Sequence, residues 1–164
     1  MSDPRISVLV QAEPFDPGAE LNAFARGRPD VGAVTMFTGL VRDLNQGDAV
    51  ARMFLEHYPG MTERALADIG AQALARWPLL AVRVIHRHGE LLPSEPIVAV
   101  LCAATHRGET FAACEFIMDF LKTGAPIWKR ESTPQGERWV DARASDEDAQ
   151  ARWDAASGPP GGRA

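Results

Sequence analysis

The chain contains two lysines, Lys122 and Lys129, in the segment Phe120-Leu121-Lys122-Thr123-Gly124-Ala125-Pro126-Ile127-Trp128-Lys129-Arg130-Glu131, and every other strongly basic residue is arginine. An amine can lose its proton where a guanidinium in practice cannot, so a lysine retained among arginines can be retained for its chemistry. Phe120, Leu121, Ile127 and Trp128 can desolvate an ammonium, which lowers its pKa and makes the amine a nucleophile or general base. The competing reading is drift toward arginine codons, with two lysines left on a wet surface. Spacing alone leaves both readings standing. Arg42, His106, Arg107 and Arg130 are further cations that, if folding brings these stretches together, form a basic pocket selective for a small anion.

Composition narrows the class. With 164 residues, 46% apolar and 24% charged, the chain is one ordinary domain able to bury roughly two thirds of its unfolded surface. No apolar run approaches the ~20 residues of a membrane span. Met1-Ser2-Asp3-Pro4-Arg5 lacks the basic start and apolar stretch of a signal peptide, so a cytoplasmic location is expected. A net charge of −5 argues against a nucleic-acid partner. Cys102 and Cys114 form no close ligand pair and read as small core residues. His86 and His88, spaced i, i+2, lack a third ligand, and no metal or cofactor is expected.

The elements that must position these residues follow from periodicity. Residues 5–11 read as a strand, and Asp16-Pro17 opens a short helix carrying Leu21, Phe24 and Ala25. The β-rich run 31–38 leads into polar residues 43–48, with Asn45 and Gly47, read as a strand and then a mobile loop. Residues 50–57 alternate as a strand, and Leu66, Ile69, Ala73 and Trp77 mark a long helix over 62–77. Strands 81–88 and 97–105 flank a turn at 89–96. A second long helix over 108–121 places Phe111, Cys114, Met118 and Leu121 on its core face and stops at Gly124 and Pro126. Residues 127–131 and 138–142 read as a hairpin. Residues 1–153 make the domain and 154–164 a disordered tail, whose Gly161-Gly162 is followed by Arg163-Ala164.

Pro126 keeps the two lysines off one continuous helix. Lys122 therefore ends a helix, Lys129 starts a strand, and they converge only if residues 123–126 reverse the chain. A helix C-terminus favours the charged form of Lys122, against desolvation, and Asp119 three residues back can pair with it.

A family resemblance is carried by Phe37-Thr38-Gly39-Leu40-Val41-Arg42, Leu55-Glu56-His57-Tyr58-Pro59-Gly60-Met61-Thr62, Val84-Ile85-His86-Arg87-His88-Gly89-Glu90-Leu91, Thr105-His106-Arg107, Phe116-Ile117-Met118-Asp119-Phe120-Leu121-Lys122-Thr123 and Pro126-Ile127-Trp128-Lys129-Arg130-Glu131. It continues through Arg138-Trp139-Val140-Asp141-Ala142-Arg143. In this order the stretches resemble the large, catalytic subunit of molybdopterin synthase, the MoaE family. The resemblance implies an α+β fold of α/β-hammerhead type, a single domain with mostly antiparallel strands and two long helices. It also implies a sulfurtransferase of molybdenum cofactor biosynthesis that converts cyclic pyranopterin monophosphate (precursor Z) to the dithiolene molybdopterin. Sulfur would come from the C-terminal Gly-Gly thiocarboxylate of a small ubiquitin-like partner. Two catalytic subunits would form a central homodimer with a small subunit at each outer end, a heterotetramer.

Carried over position by position, Lys122 is the active-site lysine reached by the partner's tail and Lys129 the second lysine of the pocket. Arg42, His106, Arg107 and Arg130 would hold the cyclic phosphate through charge-assisted hydrogen bonds. Phe37, Met118 and Arg143 join the substrate-binding set, Trp128 is a second candidate wall beside Phe37, and Arg42 or Arg143 would act across the dimer. Trp77, Trp139 and Trp153 read as core or interface, and His57 as a turn-packing residue. Leu40 departs from the family, many of whose members resemble Gly-Lys-Val-Arg where this chain has Gly39-Leu40-Val41-Arg42. Two rivals of other classes are a non-catalytic module binding an anion or a partner's tail, and a lysine Schiff-base enzyme.

Overall fold

Alternation makes Ile6–Gln11 the first strand, β1. The Asp16 carboxylate accepts from the amides of Gly18 and Ala19 (2.8 and 3.2 Å) and starts the first helix, α1 (Pro17–Ala25), with Pro17 at its entry. The chain continues through β2 (Ala33–Leu40), β3 (Leu44–Asn45), β4 (Asp48–Ala49), β5 (Arg52–His57) and α2 (Met61–Arg76). There follow β6 (Leu79–Arg87), β7 (Gly89–Leu91), β8 (Pro96–Ala104), α3 (Arg107–Thr123), β9 (Ile127–Thr133), β10 (Gly136–Val140) and α4 (Ala144–Ala155). The structure, a computed structural model, describes residues 3–141 and 143–155.

One sheet has the order β1-β6-β8-β2 and a second the order β10-β9-β5-β7. Only β1 and β6 pair in parallel; every other pairing among the described residues is antiparallel. The expected α+β class with two long helices, α2 and α3, is what folds. Helices α2 and α3 cover one face of the first sheet, where Leu66, Ile69 and Ile117 pack on Val82, Val84 and Val100. On the other face α1 packs Leu21 and Phe24 against Ile85, Ala99 and Leu101. A smaller cluster of Val41, Met53, Leu55 and Leu91 packs with Ile97 and Ile127 where the second sheet faces β8. Cys102 and Cys114 are buried where β8 meets α3, as read from the sequence.

Three expectations change. Residues 43–48 are not a mobile loop: they hold the hairpin β3–β4, whose turn residues Gln46 and Gly47 both have positive φ (54° and 85°). That twist suits a two-residue hairpin, and burial of Asn45 (5% exposed) anchors it. Residues 89–91, read as turn, pair with β5 as β7. Phe111 is 62% exposed, because the buried stripe of α3 is centred on Thr110, Ala113, Cys114 and Ile117 and Phe111 sits at its edge. Helix α4 was not foreseen, being weakly patterned. Trp153 secures it by packing edge-on against Trp77 and Phe116 (centroids 5.7 and 5.3 Å) and donating to Asp119 Oδ2 at 2.7 Å. Asp119 thereby serves Trp153, not Lys122. The helix runs to Ala155, and residues 156–164 of the expected tail lie outside the described residues.

Candidate active site

The strand period decides the site. In β9, Ile127, Lys129 and Glu131 line a cavity of ≈ 390 Å³ between the two sheets, whereas Trp128 and Arg130 point to the opposite face. Lys122, in the last turn of α3, lines the same cavity. The chain turns back after Gly124, whose amide bonds to Phe120 O (2.7 Å), and the Ile127 amide reaches Ala125 O (2.8 Å). The short connection thus brings both lysines to one space.

Phe37, Arg42, Met118 and Arg143 also line it. Arg143 lies just before α4, where Asp146 Oδ2 accepts from its backbone amide (3.2 Å). Leu40 is a lining residue and half exposed. Burial lowers the pKa of Lys129, and the charges of Lys122, Arg143 and Arg42 lower it further, against the raising effect of Glu131.

His106, Arg107 and Arg130 do not line the cavity of this chain. His106 caps the N-terminus of α3 and Arg107 begins it, so they stand a helix length, about 25 Å for 17 residues, from Lys122 at the other end. Arg130 sits on the outer face of β9, ion-paired with Glu137 (2.5 Å) and over the rings of Phe54 and Trp139 (5.0 and 5.8 Å). Trp128, on that same outer face, meets Tyr58 edge-on (6.2 Å). His57 stacks on His88 at 4.0 Å. Among the described residues no group of three or more His, Cys, Asp or Glu side chains is placed to hold a metal ion.

Five polar lining residues escaped sequence reading: Asn45, His86, Glu131, Asp141 and Asp146. Glu131 is 1% exposed, and its carboxylate accepts from Asn45 Nδ2 (2.9 and 3.0 Å) and Arg138 Nη2 (3.4 Å). Asn45 Oδ1 in turn accepts from Arg42 Nη2 (3.3 Å) and Arg143 Nη2 (3.1 Å). His86 is buried with Nδ1 against Arg87 O (2.7 Å), and burial holds its pKa down at about 4, so it is a neutral imidazole. Period two from Lys129 was a usable signal for Glu131; nothing in the sequence marks Asn45 or His86 as cavity residues.

An α+β domain that gathers its only two lysines with Arg42 and Arg143 around one cavity has the make-up of an enzyme site, with amines and guanidiniums facing one space. The MoaE protein family matches residues 10–124. The chain is 58% identical over 147 residues to the molybdopterin synthase catalytic subunit of Ralstonia nicotianae, spanning 90% of this chain and 84% of that protein. It is similar to the solved structure of the molybdopterin biosynthesis MoaE protein from Burkholderia ambifaria, with TM-score 0.77, 53% identity, and 91% and 98% of the two chains covered. In fold alone it is similar to a chain in the complex of subunits 1 and 2 of molybdopterin-converting factor from Helicobacter pylori (TM-score 0.68, 17% identity, 84% and 91% covered). The chain belongs to the MoaE family of molybdopterin synthase catalytic subunits.

Proposed function

We propose that this chain transfers sulfur to cyclic pyranopterin monophosphate, forming molybdopterin with the C-terminal thiocarboxylate of a small ubiquitin-like carrier. The observation that carries the reading is the convergence of Lys122 and Lys129, the only lysines, on one cavity with Arg42 and Arg143. The arginines bind the cyclic phosphate. The carrier's thiocarboxylate sulfur attacks a side-chain carbon of the pterin, and the carbon–oxygen bond at that carbon breaks with its oxygen leaving as water or staying on the phosphate. Water cleaves the resulting thioester. Sulfur then stays on the pterin, and the carrier leaves as a carboxylate. A second carrier delivers the second sulfur of the dithiolene in the same way. Lys122 orients the thiocarboxylate and stabilises negative charge as it develops. Lys129, whose pKa burial lowers, moves protons.

Arg42 and Arg143 reach the cavity from within the same chain, so the residues a second copy would deliver are His106 and Arg107, both exposed at the start of α3. That keeps the homodimer, flanked by carrier subunits in a heterotetramer, as the working assembly. Arg130 on the outer face is assigned to packing with Phe54 and Trp139. No helix among the described residues is long and apolar enough to cross a membrane, and the cytoplasm is the proposed location.

The test is conversion of precursor Z by the purified protein plus thiocarboxylated carrier, comparing wild type with Lys122→Ala and Lys129→Ala. Dithiolene product from wild type, sharply reduced in either variant, is the expected result. No product from a folded, carrier-binding wild type would favour the binding-module reading, and borohydride trapping of substrate on Lys122 the Schiff-base reading.

A further inference from the structure

The amide of Asn45 has only one orientation that works. Its Nδ2 must face Glu131, whose carboxylate only accepts, and its Oδ1 must face Arg42 and Arg143, whose guanidiniums only donate. The Glu131 carboxylate is almost fully buried and is held again by Arg138, which also donates to Asn45 O (3.1 Å) and pairs with Asp48 (2.7 Å) across the hairpin. Asn45 is therefore fixed at both its backbone and its side chain. Two like-charged guanidiniums, from residues 101 positions apart in the chain, converge on its single oxygen. Without that oxygen they would repel each other and spread into solvent, since both side chains are exposed.

We infer that Asn45 is a positioning residue: braced by Glu131, it holds Arg42 and Arg143 side by side so that both guanidiniums meet the anionic group of the substrate together. The inference rests on the phosphate-binding role given above to the two arginines. It predicts that Asn45 acts on substrate affinity and only through those arginines. Pre-placing two donors spares the ordering of two long side chains on binding.

The experiment measures KM and kcat with saturating thiocarboxylated carrier, and the Kd for precursor Z without carrier by calorimetry. The variants are Asn45→Ala, Arg42→Ala/Arg143→Ala and the triple combination. Asn45→Ala is expected to raise Kd and KM about tenfold, the scale of one charge-assisted hydrogen bond, with kcat within about twofold of wild type. In the arginine-free background the same change is expected to add less than about twofold, a non-additivity that a merely structural residue does not show. Should Asn45→Ala fail to fold, Asn45→Ser substitutes for it. Its single hydroxyl can satisfy Glu131 but not also replace Oδ1 between the arginines, so a folded protein with weakened binding is expected. The idea is overturned by a full Asn45→Ala effect in the arginine-free background, by loss of kcat at unchanged Kd, or by wild-type binding in Asn45→Ser. A wild type that binds precursor Z but makes no product counts against the reaction, leaving the Asn45 comparison readable. One that binds no precursor Z overturns both.

Discussion

The hydroxyl of Thr62 donates to the carbonyl of Pro126 at 3.0 Å, tying the start of α2 to the turn that separates Lys122 from Lys129. The same oxygen accepts from the Tyr58 amide (3.0 Å), and Thr62 is wholly buried. Replacing Thr62 by valine keeps the shape and strands the carbonyl. Thr62→Val is expected to lose about 1–2 kcal/mol of stability in urea melts and to lower turnover because the spacing of the lysines is no longer clamped. Full turnover in a destabilised variant would separate the clamp from catalysis.

Lys129 titrates below the ordinary lysine value because burial disfavours its charge. If its neutral amine takes up a proton during turnover, kcat rises with pH through that lowered pKa. Lys129→Arg, permanently charged, is expected to lose both that limb of the profile and roughly a hundredfold in rate. The sign for stability is the same. Between the lowered folded pKa and the unfolded value of 10.5 the unfolded chain binds more protons, so stability rises with pH across that window. Chemical melts of wild type against Lys129→Gln read the difference.

His86 works on the acid side. Its folded pKa of about 4 lies below the model-peptide 6.5, chiefly through burial, with Lys122, His57 and His88 adding repulsion against Nδ1's bond to Arg87 O. As pH falls from 6.5 toward 4, the unfolded chain gains a proton that the folded one refuses, and stability is lost across that window. Thermal melts from pH 7 to pH 4 are expected to show a shallower decline for His86→Gln than for wild type; parallel curves would contradict the assignment.

Leu40 lines the cavity and is half exposed. Leu40→Lys adds a fixed cation near Arg42, and KM for precursor Z is expected to fall several-fold at low salt, the gain shrinking as ionic strength rises. An unchanged KM at every salt concentration would show that the phosphate binds elsewhere.

Much of this arrangement was already legible in the order of residues. The scarcity of lysine singled out Lys122 and Lys129, and Pro126 placed one on a helix and the other on a strand. Apolar spacing located α2 and α3, while the motifs around Phe37, Arg42, Met118 and Arg143 carried the family. Those signals are local, depending on backbone sterics and on which side chains recur at a helical or strand period.

What needed the folded chain was the direction and company of each side chain. Membership of one motif put Lys129 and Arg130 together, but the pleat sends them to opposite faces, so Arg130 leaves the cavity and Glu131 enters it. The rigid length of α3 separates His106 and Arg107 from Lys122. Polar residues 43–48 looked like solvent-exposed loop until a buried carboxylate 86 positions from Asn45 required a partner. Burial of Lys129 and His86, and with it their shifted pKa values, arises from residues far away in sequence. Local pattern can say which residues are able to do chemistry, but only packing sets how much water each of them keeps.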